Sequence, residues 1–184
     1  MQNMRRVRFG AILAASALAL TVGAVPARAA ARSPAGPWPS CTIGDLRVLI
    51  DLQGAVGSRV GSIRFTNFSD QTCTLEGRPG IKFVDSQGAV PLHLAKTLAW
   101  WKVNAKPKPH GWPLTTLKPG DQAIVRTGWS NWCQPDQNPV WKISVPGSAG
   151  HVNTGYDGDG PPVCHDPSQP TRVEIGPFEP SADE

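Results

Sequence analysis

Apolar and polar side chains alternate along several short stretches of the chain. Leu46, Val48 and Ile50 lie two residues apart, with Arg47 and Asp51 among the polar positions beside them. The same period recurs at residues 63–66, 141–145 and 172–175. A period of two places one side of a β-strand in a core and the other side in water. The pattern therefore predicts several short, half-buried strands.

Turn-forming residues separate these predicted strands. The chain contains 19 Gly and 19 Pro, and after residue 30 it has no long uninterrupted helical pattern. Turn signals occur at residues 67–70, 77–80, 86–88, 118–120, 146–147 and 155–160. Short strands with frequent turns predict an antiparallel β-sandwich.

The first 29 residues have the layout of a secretory signal peptide. Arg5, Arg6 and Arg8 precede the apolar run AILAASALALTVGAV, and small residues follow before a cleavage site. We expect cleavage after Ala29, with Ala31 as the second choice. The run of about 15 residues is shorter than the roughly 20 needed to span a bilayer. These features predict an exported protein that does not span the membrane.

The predicted organisation has four parts. Residues 1–29 form the signal peptide, residues 30–40 a flexible lead-in, residues 41–180 the β-sandwich domain, and residues 181–184 a tail. The length remaining after cleavage is ordinary for one domain. We expect the mature protein to be secreted, in the extracellular space or associated with the cell envelope.

Removal of the signal peptide changes the net charge. The whole chain has 18 Lys and Arg against 14 Asp and Glu, but four of the arginines lie within residues 1–29. The remaining groups balance, so overall basicity gives no argument for nucleic-acid binding. The distribution is uneven. Residues 78–142 hold nine basic and three acidic groups, whereas residues 143–184 hold one basic and seven acidic groups.

Four cysteines remain after cleavage, namely Cys41, Cys73, Cys133 and Cys164. An even number in an exported chain indicates disulfides, and four cysteines allow three pairings. Their spacings of 32, 60 and 31 residues suggest two local loops, Cys41–Cys73 and Cys133–Cys164. Each loop would stabilise the fold by roughly 3–4 kcal/mol in the chain-entropy model. The spacing fits no zinc finger or CxxC motif, so we interpret the cysteines as structural.

Several landmarks occur in an order that resembles one protein family. They are Cys41, Asp45-Leu-Arg-Val48, Gly54-Ala-Val-Gly57, Phe65-Thr-Asn67, Cys73-Thr-Leu-Glu-Gly-Arg-Pro-Gly80, Gly88, Leu117-Lys-Pro-Gly120, Ala123, a strand ending in Trp129, Cys133, Cys164 and Pro177-Phe-Glu-Pro180. Over about residues 41–180 the chain resembles the domain of unknown function 4232 family, a set of mostly actinobacterial secreted or envelope proteins. Arg78 departs from the family pattern, which commonly has an aromatic residue there.

The resemblance implies an all-β fold, namely an immunoglobulin-like antiparallel β-sandwich with two disulfides, and export from the cell. It implies no activity, because none is established for the family and a fold alone does not supply one.

No motif for enzymatic catalysis is found. Residues 147–150 lack the spacing of a G-x-S-x-G elbow, and the histidines form no H-E-x-x-H pair. We therefore predict a protein that is not an enzyme, with no catalytic residues, no metal site and no cofactor. The least favoured alternative is a metalloprotein or enzyme that uses His151 and His165 with Asp157, Asp159 or Asp166.

The acidic stretch Asp157-Gly-Asp159-Gly160 suggests calcium, which prefers several oxygen ligands. Pro161 and Pro162 occupy positions of later ligands in a calcium loop, and no glutamate stands at its twelfth position. We interpret the stretch as a flexible acidic turn.

Tryptophan is frequent, with seven residues against one Tyr and five Phe. Trp129 and Trp141 are expected in the core, and Trp132 is expected to pack on the neighbouring disulfide. Trp100 and Trp101 are consecutive, and consecutive strand residues point to opposite faces. At most one of these two indoles therefore enters the core easily.

A basic segment with alternating prolines follows Trp101. Indoles beside cations can stack on sugar rings or seat a partner protein. The predicted contact surface consists of Trp100, Trp101, Lys106, Lys108, His110 and Trp112. The alternative is that these residues cover one open end of the sandwich.

The sequence thus predicts a secreted, non-enzymatic binding module of the extracellular space or cell envelope. Its expected partner is a cell-wall glycan or an extracellular protein, and not nucleic acid. A purely structural exported domain with no specific ligand is the alternative.

Overall fold

β-Strands make up nearly all the regular structure in the computed structural model, which describes residues 37–95 and 111–181. The strands are β1 (Leu46–Ala55), β2 (Ser58–Asn67), β3 (Cys73–Glu76), β4 (Gly80–Asp85), β5 (Gly88–Ala89), β6 (Leu92–Ala95), β7 (Leu114–Leu117), β8 (Gln122–Ser130), β9 (Val140–Ser144), β10 (Val152–Thr154), β11 (Thr171–Ile175) and β12 (Glu179–Pro180). A short 3-10 turn, Ile43–Asp45, precedes β1. Within these two ranges no helix has the length and apolar character needed to cross a membrane.

The strands form two larger sheets and a small one. The six-stranded sheet has the order β1-β2-β8-β11-β6, with β12 beside β8, and the four-stranded sheet has the order β10-β9-β4-β5. Strands β3 and β7 pair with each other. This sandwich-like arrangement confirms the predicted all-β fold. The immunoglobulin-like topology stays a prediction.

One strand pair is parallel, in contrast to the antiparallel pairing of all the others described. Strand β11 runs parallel to β6, with Thr171 opposite Leu92. Parallel partners need a long crossover connection, whereas antiparallel neighbours can be joined by a short turn. Local turn signals therefore do not reveal this pair.

The longest hairpin joins β1 and β2 through ten opposed residue pairs, from Leu46 with Asn67 to Ala55 with Ser58. Its two-residue loop is Val56-Gly57, and both residues have positive φ, 39° and 79°. Two-residue loops of this kind match the right-handed twist of the flanking strands.

Aromatic rings from both larger sheets meet in the core. The ring centroid of Phe83 on β4 lies 5.4 Å from that of Trp129 on β8 and 4.3 Å from that of Trp141 on β9. Both tryptophans are fully buried, as predicted. Trp132 is buried as well, stacks edgewise on Phe83 and Trp129, and donates its indole N–H to the carbonyl of Asp136 at 2.7 Å. These contacts hold the two sheets together.

Both disulfides have the predicted pairing. The buried Cys41–Cys73 bridge joins the stretch before β1 to β3, and the Cys133–Cys164 bridge joins the loop after β8 to the loop before β11. The carbonyl of Pro39 accepts a hydrogen bond from the backbone N–H of Thr74 at 2.8 Å. The last residues of the predicted lead-in are therefore attached to β3.

Candidate functional site

One residue of the predicted contact surface, Trp112, lies in the part of the chain that the structure describes. The other five, Trp100, Trp101, Lys106, Lys108 and His110, lie outside the described residues. Description of the chain ends at residue 95, at the end of β6, and resumes at residue 111. Of this surface, the structure therefore shows Trp112 and its neighbours.

Trp112 is held by the turn between β3 and β4. The guanidinium carbon of Arg78 lies 4.7 Å from the centroid of the indole ring. A Cβ atom built on Gly77 would lie 3.7 Å from Cδ1 of the same ring, so the turn also contacts the edge of the indole. Trp112 is only half-buried, which leaves part of its ring accessible.

The position of Arg78 over this ring is a cation–π interaction. Such contacts contribute about 0.5–1 kcal/mol at exposed sites and about 2 kcal/mol when desolvated. Arg78 is half-buried, and burial lowers the pKa of its guanidinium from the ordinary value. The departure of Arg78 from the family pattern thus places a cation on the ring of Trp112.

Strand β7, which follows Trp112, carries an exposed leucine and is held by hydrogen bonds. Leu114 on β7 is 45% exposed. Behind it, the hydroxyl of Thr115 donates to the carbonyl of Phe178 at 3.3 Å, and the N–H of Phe178 donates to the carbonyl of Gly77 at 3.1 Å. Hydrogen bonds to Phe178 therefore link β7 with the turn at Gly77, which contacts the indole of Trp112.

The described histidines lie in two places, because His93 and His165 line one groove and His151 lines another. His93 lies on β6. The ring of His165 lies against the hairpin loop, because a Cβ atom on Gly57 would stand 2.7 Å from its Nε2. His151 lines a groove on the outer face of the four-stranded sheet. Within residues 37–95 and 111–181, no group of three or more His, Cys, Asp or Glu is arranged to hold a metal ion.

The acidic turn at residues 157–160 is anchored by a cation. The guanidinium of Arg59 on β2 donates to the backbone carbonyl of Gly160 at 2.8 Å and to that of Asp159 at 3.1 Å. Backbone carbonyls are among the ligands that calcium loops use. Here two of them are occupied by Arg59, which ties the turn to the six-stranded sheet.

One groove brings together the residue types of a hydrolase triad. It has a volume of about 420 Å³, and its lining includes His93, Ser130, His165 and Asp166. No hydrogen bond among the described residues links Ser130 to either histidine. The carboxylate of Asp166 accepts from the hydroxyl and the N–H of Ser168, at 2.6 and 2.9 Å, and these bonds lower its pKa. The carboxylate of Asp166 is thus hydrogen-bonded to Ser168.

Asn131 organises the loop beside this groove and was not singled out from the sequence. Its side-chain oxygen accepts from the backbone N–H groups of His165 and Asp166, at 2.9 and 2.8 Å. Its side-chain N–H₂ group donates to the carbonyls of Asp166 and Gln169, at 2.9 and 3.1 Å. Asn131 has a φ of 57°, a conformation that Asn tolerates better than most residues. The only local sequence signal for this role is that Asn131 lies two residues before Cys133.

The comparisons with known proteins give one match. Residues 41–178 match the family described as Domain of unknown function (DUF4232). Searches of the curated proteins and of the solved structures gave no match. The family match covers most of the chain, and it includes strands β1 to β11 and both disulfides. The chain therefore belongs to the DUF4232 family.

Proposed function

We propose that the protein is a secreted, non-enzymatic binding module of the extracellular space or cell envelope. Its proposed contact surface consists of Trp100, Trp101, Lys106, Lys108, His110 and Trp112. The observation that carries the proposal is the half-buried ring of Trp112, which packs against the guanidinium of Arg78. A large aromatic side chain held in this way gains contact area on binding while losing little conformational freedom.

The proposed partner is a cell-wall glycan or an extracellular protein. Indoles are suited to both, because the ring offers a wide apolar face and a polar N–H edge. Tryptophan and arginine are also the residues enriched at the energetic centres of protein interfaces. Lys106 and Lys108 would add attraction toward acidic groups on the partner.

Export is supported by the two disulfides, because such bridges persist in oxidising compartments. It is also supported by the signal-like layout of residues 1–29. The balanced charge of the remaining chain gives nucleic acid no advantage as a partner.

Co-sedimentation tests the proposal. The oxidised protein is mixed with purified bacterial cell walls and with insoluble polysaccharides, and the pelleted fraction is compared with that of two variants, Trp112→Ala and the double change Trp100→Ala/Trp101→Ala. Trp38→Ala is the matched control, because Trp38 is 47% exposed but lies outside the proposed surface. Circular dichroism verifies that each variant is folded.

We expect the parent and Trp38→Ala to sediment with cell walls and the other two variants to lose most of their retention. A parent that sediments with no wall or polysaccharide would exclude the glycan partner. Retention that is equal in all variants would exclude the proposed surface. If crosslinking on intact cells also captures no protein partner, a purely structural exported domain becomes the better account.

A further inference from the structure

The outer face of the four-stranded sheet carries a groove of about 540 Å³. Small-molecule sites in proteins usually have volumes of about 300–1,000 Å³. The groove is crossed by side chains of β4 and β9 that alternate with the buried aromatic and aliphatic residues of the core. Trp112, the one described residue of the proposed contact surface, does not line it.

Two lysines stand side by side in this groove. Lys82 on β4 is directly opposite Lys142 on β9. Like charges directly opposite each other on neighbouring strands are destabilising. No Asp or Glu is among the described residues that line the groove, and neither lysine makes an ion pair or hydrogen bond with another described residue. On its other side Lys142 faces Asn153 of β10, which is neutral. The positive charge of the pair is therefore not balanced by the residues described.

Further polar groups line the same groove. The hydroxyl of Ser144 lies over the bare backbone of Gly80, since a Cβ atom at Gly80 would stand 2.5 Å from it. This hydroxyl has no hydrogen-bond partner among the residues that the structure describes. The imidazole of His151 lines the groove as well. Two ammonium groups, a hydroxyl and an imidazole thus share a groove whose described lining has no carboxylate.

The remainder of the groove is apolar. Val84, Ala89 and Leu94 line it, and the side chain of Leu94 is 50% exposed. The exposed apolar side chains of the groove interact poorly with water. A purely ionic ligand would bind the two lysines but would leave these apolar side chains uncovered. It is well matched to a ligand that has a charged end and an apolar end.

We propose that this groove binds an amphipathic anion. The carboxylate or phosphate head lies between Lys82 and Lys142, and the apolar chain lies along Val84, Ala89 and Leu94. Hydrogen bonds between ammonium groups and an anionic oxygen are shorter and stronger than neutral ones. The head group also removes the repulsion between the two lysines. The inference goes beyond the proposed function and does not depend on it.

Calorimetric titration of the oxidised, full-length protein tests the ligand class. Dodecyl phosphate and laurate, both below their critical micelle concentrations, supply the two anionic heads. Inorganic phosphate supplies a head without a chain, and dodecyl maltoside supplies a chain without a charge. We expect at least one anionic amphiphile to bind at least tenfold more tightly than inorganic phosphate and dodecyl maltoside. Equal binding of inorganic phosphate or dodecyl maltoside, or no binding by either anionic amphiphile, would overturn the proposal.

Variants test the location. Lys82→Gln and Lys142→Gln should each weaken binding of the anionic amphiphile about tenfold, which is the usual loss for a charged hydrogen bond. Leu94→Ser should weaken it several-fold. Lys118→Gln is the matched control, because it removes the same charge from a turn outside the groove and should leave binding unchanged. Unchanged binding in both Lys82→Gln and Lys142→Gln would overturn the assignment of the site.

Discussion

Gly61 on β2 lies so close to Asp51 on β1 that a Cβ atom at position 61 would stand 2.1 Å from the backbone carbonyl oxygen of Asp51. Real Cβ atoms essentially never approach another heavy atom so closely. The glycine is therefore required by the neighbouring backbone. It lies at the pair Leu52–Gly61, within the longest hairpin, whose second strand continues the sheet to β8.

Gly61→Ala should destabilise the protein by about 2–3 kcal/mol, because β1 and β2 must separate locally to admit a methyl group. Urea unfolding of the oxidised protein measures the change. Gly155→Ala is the matched control, since a Cβ atom there meets nothing within 4 Å. It should change stability by no more than about 0.5 kcal/mol. Equal effects of the two substitutions would contradict the close approach of the strands.

Val56 is the strained residue of the hairpin loop. It is 95% exposed and has a φ of 39°, a conformation that β-branched residues avoid. Val56→Asn should therefore stabilise the protein by about 1 kcal/mol, because Asn-Gly suits this type of two-residue turn. Thermal unfolding measures the gain. Val56→Thr keeps the branched Cβ and should give no gain. A gain in Val56→Thr as large as in Val56→Asn would show that polarity, and not backbone strain, is the cause.

The alternation of apolar residues predicted β1, β2, β9 and β11. Strands β1, β2 and β9 show different burial on their two faces, whereas in β11 Glu174 is buried together with Val173 and Ile175. In β2, for example, Phe65 is fully buried and Arg64 is exposed. Strand β8 does not show this period at its end, where Thr127, Gly128 and Trp129 are all buried. Three consecutive buried residues break the alternation by which a half-buried strand is recognised. The family resemblance, and not the period, indicated this strand.

The sequence predicted less of the candidate sites than of the fold. Trp112 was predicted as a contact residue from composition, but its cation–π partner Arg78 was known only as a departure from a family pattern. The pairing of Lys82 with Lys142 depends on the register between β4 and β9, which are far apart in the sequence. Local patterns carry no information on such a register, so the groove could not be predicted.

Asn131 should contribute to stability in two separable ways. Asn131→Ala removes four hydrogen bonds and places a less tolerant residue at a φ of 57°, so we expect a loss of about 2–3 kcal/mol. Asn131→Gly removes the same hydrogen bonds but accepts the conformation, so its loss should be about 1 kcal/mol smaller. Chemical unfolding of both variants measures the two parts. Equal losses would show that the backbone conformation contributes nothing.

The two disulfides should differ in how readily they are reduced. Cys41 and Cys73 are 1% and 4% exposed, whereas Cys164 is exposed at the surface. A thiolate must reach a disulfide sulfur to attack it, so limited dithiothreitol should open Cys133–Cys164 first. Alkylation followed by peptide mass spectrometry measures the order. Labelling of Cys41 and Cys73 at the same rate would contradict it.

The four side-chain hydrogen bonds of Asn131, which we call the Asn131 clamp, should slow this reduction. Two of them bind the two residues that follow Cys164. Asn131→Ala should therefore speed the opening of Cys133–Cys164 several-fold. It should leave the rate for Cys41–Cys73 nearly unchanged, as long as the domain stays folded under the conditions used. The same alkylation assay gives both rates from one sample, so the buried bridge is the internal control. If both bridges opened faster to the same extent, the variant would be acting through general unfolding, and the clamp would have no local role at the exposed bridge.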